Sequence, residues 1–99
     1  MALDITIHDP TGATLWTRSL PLGMIERWTE EDDDHPLAYG GAWHSMTPTP
    51  ITAEDIERVE NYALRSACGC AFCKTSREFS LELVQSARSA PPSSTIEAI

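Results

Sequence analysis

The sequence predicts an α+β fold: an N-terminal β-hairpin, or a small antiparallel sheet built on it, packed against two C-terminal helices joined by a cysteine-rich turn. Three observations carry this. The first twenty residues alternate apolar and polar side chains around a cluster of turn residues. A capped, amphipathic helical pattern starts at Thr52. A second helix-forming run follows the cluster Cys68-Gly69-Cys70-Ala71-Phe72-Cys73.

In the hairpin, Leu3, Ile5 and Ile7 alternate with Asp4, Thr6 and His8, the period of a half-buried strand. Asp9-Pro10-Thr11-Gly12 supplies turn chemistry, since Pro presets φ and Gly accepts positive φ. A second β-rich run spans Ala13 to Leu20 and is ended by Pro21. A lone hairpin is marginal in water, so it must pack on something or gain a third strand.

Leu22 to Trp28 read as a short helix with Leu22, Met24, Ile25 and Trp28 apolar. The acid run Glu30, Glu31, Asp32, Asp33 and Asp34 follows; adjacent carboxylates repel one another and favour an exposed loop. From His35 to Pro50, Pro and Gly break any periodicity, yet Leu37, Tyr39, Trp43 and Met46 are too apolar for a free linker. This segment reads as an ordered loop that lays aromatic rings over the core or presents Tyr39 and Trp43 to a partner.

Thr52 is a good N-cap, with Asp55 three residues on in a variant of the capping box, and Ile51 and Ile56 spaced as a hydrophobic staple. Ile56, Val59 and Ala63 share one face of the helix expected from Thr52 to Ala67; Glu54, Glu57, Arg58, Asn61 and Arg65 take the other. After the cysteines, Thr75-Ser76-Arg77-Glu78 has capping-box form, and Phe79, Leu83, Val84 and Ala87 line one helical face. Phe79, Leu81 and Leu83 also fit a strand, but the Glu, Leu, Gln, Ala and Arg content favours helix. Residues 1–89 thus form a single domain, and residues 90–99, with Pro91-Pro92-Ser93-Ser94, have the composition of a flexible tail.

Charge narrows the partner class. The chain has 99 residues, with 15 acidic against 7 basic ones and a net charge of −8. Such a chain repels phosphate backbones, which argues against direct nucleic-acid binding and for a basic or nucleic-acid-binding protein as partner. No apolar run reaches membrane-spanning length and the first residues lack a signal pattern, so a cytoplasmic protein without membrane contact is expected.

Two candidate sites emerge. Cys68, Cys70 and Cys73 follow C-x-C-x-x-C, and two thiolates at the spacing of Cys70 and Cys73 can wrap one ion. With a histidine as fourth ligand, His44 first and His35 second, they would hold one structural zinc, a useful staple for a small core. Alternatively, Cys70 and Cys73 at a helix N-terminus beside Lys74 suit thiol redox chemistry, or the cysteines simply pack in a turn. The second site is the acid run, Glu30 to Asp34, with Tyr39 and Trp43 as apolar anchors for a partner, against a plainer reading as a solvated loop.

No nucleophile elbow, Gly-rich phosphate loop or catalytic constellation is present, so no enzyme is expected. The leading expectation is a small, acidic, non-enzymatic binder that inhibits or neutralises a partner. In composition it is typical in kind of toxin-immunity proteins and phage-encoded anti-defence inhibitors. A zinc-binding adaptor with a Cys3His-type site is the alternative, and a thiol redox protein the third.

Overall fold

The computed structural model describes residues 2–32, 34–65 and 69–99. Among these residues seven elements follow in chain order: β1 (Ala2–His8), β2 (Thr14–Pro21), α1 (Leu22–Glu31), β3 (Thr49–Pro50), α2 (Ala53–Arg65), α3 (Ala71–Ser89) and β4 (Thr95–Ala98). The strands form one antiparallel sheet in the order β2-β1-β4-β3, and the fold is α+β.

The hairpin forms where the alternation places it. The Asp9 carboxylate accepts from the Thr11 N–H at 2.9 Å, the Thr11 hydroxyl at 2.6 Å and the Ala13 N–H at 3.0 Å, while Gly12 takes φ 93°. Ile5 and Ile7 are buried, and their cross-strand neighbours Ala98 and Ile96 on β4 are buried on the same face. Met24, Ile25 and Trp28 of α1, Ile56 and Val59 of α2, and Phe79, Leu83, Val84 and Ala87 of α3 complete one core against that face.

Residues 90–99 are not a tail. Thr95–Ala98 enter the sheet between β1 and β3, supplying the strand the hairpin lacked. Pro91 to Ser94 form the turn that reverses the chain: the Ser94 N–H donates to the Pro91 carbonyl at 3.2 Å, its hydroxyl at 2.6 Å, and Ser93 takes φ 70°. The strand itself is short, with Ile96 and Ala98 inward and Thr95 and Glu97 half-exposed, so its alternation is masked by the Pro and Ser composition before it.

Two helix boundaries shift. Helix α1 runs past Trp28 to Glu31, drawing Glu30 and Glu31 into its last turn, because Glu31 pairs with Arg27 one turn back. Helix α3 starts at Ala71, before the Thr75-Ser76-Arg77-Glu78 box. Cys70 is its N-cap, Thr75 bonds back to the Ala71 carbonyl at 3.0 Å, and Ser76 is buried, accepting the Trp28 indole N–H at 2.8 Å. Cys73 therefore lies in the first turn of a helix. Helix α2 has the expected Thr52 cap, with the Asp55 N–H donating to the Thr52 hydroxyl at 3.2 Å, and buries Ile56, Val59 and Ala63. Its expected end at residues 66–67 lies outside the described residues.

The segment between α1 and β3 is an ordered cover. His35, Pro36, Leu37, Ala38 and Trp43 are buried, and the Trp43 N–H donates to the Pro36 carbonyl at 2.9 Å. The turn closes so tightly that a Cβ on Gly41 would stand 2.2 Å from the Pro36 oxygen, which only glycine avoids.

Candidate functional site

The acid run is divided by the fold. Glu31 pairs with Arg27 and accepts the Tyr62 hydroxyl at 2.8 Å. The Arg27 guanidinium, and after it the Tyr62 hydroxyl, hold the Glu31 carboxyl below the usual carboxylate range, while burial and then the Glu31 hydrogen bond push the Tyr62 phenol up. Asp32 closes α1, donating its N–H to the Trp28 carbonyl at 2.8 Å, and its carboxylate takes Arg65 of α2 at 2.7 Å and the Asp34 N–H at 3.1 Å. Two of the four described acids thus bind the chain to itself. Glu30 and Asp34 are exposed and have no side-chain partner among the described residues; Asp33 lies outside them.

Glu26, which the acid run does not include, joins Glu30. It is four residues earlier on α1, so both carboxylates share one helix face, and it too is exposed without a side-chain partner among the described residues. The i,i+4 spacing was the available signal. The Tyr39 N–H donates to the Thr29 hydroxyl at 3.0 Å, which sets Tyr39 beside the last turn of α1, 46% exposed and edge-on to His44 at 5.1 Å. Trp43, its expected companion, is fully buried and serves the core. Next to the acids, an open groove of about 490 Å³ is lined by Asp32, Asp34, Arg58, Asn61, Leu64 and Arg65. Its arginines are already engaged, Arg58 with Glu54 and Asp55 and Arg65 with Asp32.

This pattern extends over the molecule. Five of the seven basic residues, Arg18, Arg27, Arg58, Arg65 and Arg88, sit in ion pairs with Glu82, Glu31, Glu54 and Asp55, Asp32 and Glu60. Most of the cations are spent inside the fold, and acidic residues in excess of them face solvent.

His35 sits under the acid loop. Its ring stacks on Trp28 at 4.4 Å and 16°, meets Tyr62 edge-on at 5.2 Å, and accepts the Leu37 N–H at Nδ1, 3.1 Å away. That bond makes Nε2 the protonated nitrogen of the neutral ring, and Nε2 is buried without a partner among the described residues. Burial pushes His35 down to about 4, with the Asp32 carboxylate opposing in part.

At the other candidate site, Cys70 is exposed and Cys73 half-buried. The Cys70 sulfur accepts the Cys73 N–H at 3.4 Å, and the Arg27 guanidinium lies over the Phe72 ring at 5.3 Å, so a cation borders the first turn of α3. Cys68 falls outside the described residues. Nδ1 of His44, the first choice for a fourth ligand, lies 3.2 Å from the Leu37 carbonyl oxygen. Among the described residues, no group of three or more His, Cys, Asp or Glu side chains comes together to hold a metal, and no helix is long and apolar enough to cross a membrane.

No family model matches this chain, and neither a curated protein nor a solved structure matches it.

Proposed function

We propose that this chain is a non-enzymatic binding protein that neutralises a basic or nucleic-acid-binding partner by covering its cationic surface. One observation supports this most: five of the six arginines are in ion pairs within the fold, while Glu26, Glu30 and Asp34 are exposed with no side-chain partner among the described residues, and Tyr39, held to α1 through Thr29, is exposed. A surface of one sign steers an oppositely charged partner into contact, and an aromatic at its edge supplies apolar area once contact is made. In kind, this is the action of an immunity protein or an inhibitor of host defence.

The test reverses Glu26, Glu30 and Asp34 to Lys together, leaving Glu31 and Asp32 to hold the fold. A partner captured by affinity from the native host is then measured by surface binding kinetics across salt concentrations. Association at low salt should fall by roughly tenfold or more and its salt dependence should flatten. Unchanged association at low salt would mean that these acids are only a solvated surface.

A further inference from the structure

β2 stands at one edge of the sheet, with no strand beyond it among the described residues. Strand alternation determines which of its backbone groups stay open. Asp4 exchanges both backbone hydrogen bonds with Ile99, at 2.8 and 3.0 Å, so Asp4 and Thr6 turn their N–H and C=O toward the β4 side and Leu3, Ile5 and Ile7 turn theirs toward β2. Their partners Leu20, Arg18 and Trp16 are thereby used on β1. The N–H and C=O of Thr17 and Ser19 face outward. Pro21, next in that outward series, sits where its missing N–H would meet solvent. At the other end the register shift opposite Ile7 and His8 leaves Leu15 as the extra residue and interrupts the ladder. Between these stops nothing blocks the edge: no proline, lysine or bulge lies from Thr17 to Ser19.

A helix borders this edge. The Trp16 indole N–H donates to Glu82 of α3 at 3.0 Å, Arg18 pairs with the same carboxylate, and the Trp16 ring meets Phe79 edge-on at 5.8 Å. Farther along, an open groove of about 330 Å³ lies between Leu15 and Trp16 on the strand and Gln85, Ser86 and Ser89 on α3. Glu78, one turn before Glu82, is exposed and without a side-chain partner among the described residues.

We infer that the edge of β2 takes up an extended segment of a partner protein as an added strand, with an apolar side chain in the groove beside Trp16 and a basic one against Glu78. The open backbone pairs of Thr17 and Ser19 require an occupant in extended conformation, since only a strand presents N–H and C=O at matching intervals. Charge selects its source. A second copy would bring another chain of net charge −8 against the first, whereas a cationic segment complements the acids of α3. The inference rests on the proposed function only for the basic character of the partner; Glu26, Glu30 and Asp34 take no part in it, so the two can fail separately.

The probe is a capped synthetic heptapeptide, Thr-Val-Thr-Lys-Thr-Val-Thr, whose Val and Lys side chains share one face, compared with the same peptide carrying Glu for Lys. Added to isotope-labelled full-length protein, the Lys peptide should shift the Thr17 and Ser19 amides and the Trp16 indole and slow exchange of those two amides about tenfold. The Glu peptide should bind about tenfold more weakly, a difference worth about 1.4 kcal/mol. Ser19→Pro removes an outward N–H without touching the β1 ladder and should weaken the Lys peptide to a similar degree. Glu78→Lys, an exposed helix change that leaves the sheet intact, should do so as well. No binding, shifts located elsewhere, equal affinity for both peptides, or indifference of the Glu78→Lys variant would each overturn the inference. So would protection of Thr17 and Ser19 that rises with protein concentration alone, which would assign the edge to a second copy.

Discussion

Stability should fall as the solution is acidified through the range in which His35 titrates. His35 sits near 4 in the folded chain against 6.5 for an ordinary histidine, and burial is the main cause. Below pH 6.5 the unfolded chain binds a proton that the folded chain refuses. The stability that His35 contributes by staying neutral is therefore fully present above its unfolded value and is lost as pH falls from 6.5 to 4. At about 1.4 kcal/mol per unit, the whole loss is about 3 kcal/mol, of which about 2 kcal/mol falls between pH 7 and pH 5. For a chain of this size that lowers the melting temperature by roughly 10 °C. The structure gives the reason protonation is resisted: the new proton would go on Nδ1, which accepts the Leu37 N–H, and would set donor against donor inside the loop that carries Asp34 and Tyr39. Asp9, Glu31 and Glu60 have lowered carboxyl values and also lose stability on acidification, so the assay needs a control. His35→Asn keeps an acceptor toward Leu37 and does not titrate. Urea unfolding of both proteins at pH 7 and pH 5 should show a steeper loss for the wild type. Equal losses in the two proteins would refute the reasoning, as would a His35 ring that titrates near 6.5 by NMR.

Two further predictions concern Trp43 and the thiols. Trp43→Ala should destabilise the fold by about 3–5 kcal/mol, since it empties a fully buried site, whereas Trp43→Phe should cost far less because it keeps most of the ring and removes an indole N–H that has no partner among the described residues; equal losses in chemical denaturation would contradict this. If Cys68, Cys70 and Cys73 hold zinc, purified protein should carry about one metal per chain and a chelator should lower its melting temperature, while metal-free protein with unchanged melting would remove that reading and leave Cys70 and Cys73 to thiol chemistry, tested by alkylation rates across pH.

The local parts of this fold were legible in the sequence because their causes lie within a few residues of one another. Asp9 and Gly12 make the hairpin turn with their own side chain and dihedral, Thr52 caps α2 through Asp55, and the spacing of Phe79, Leu83, Val84 and Ala87 places α3 with its apolar face inward. The period of apolar residues and the chemistry of turns and caps need no distant partner. The α+β class follows from these elements, since a hairpin with one apolar face must be covered.

What only the tertiary structure decided are matters of who meets whom. Thr95–Ala98 has too little local signal to be read as a strand, and becomes one because β1 on one side and β3 on the other satisfy its backbone. Tyr39 and Trp43 look alike in the sequence, yet one is exposed and the other buried, because the turn through Pro36 and Gly41 points the indole into the core. In the acid run, Arg27, Tyr62 and Arg65 reach Glu31 and Asp32 from one helical turn away and from another helix, while Glu30 and Asp34 are left to solvent and Glu26 joins them. Sequence by itself determined the sign and amount of charge, which is a sum over residues. Where that charge stands uncompensated depends on distances between residues far apart in the chain, and those exist only once the helices have packed.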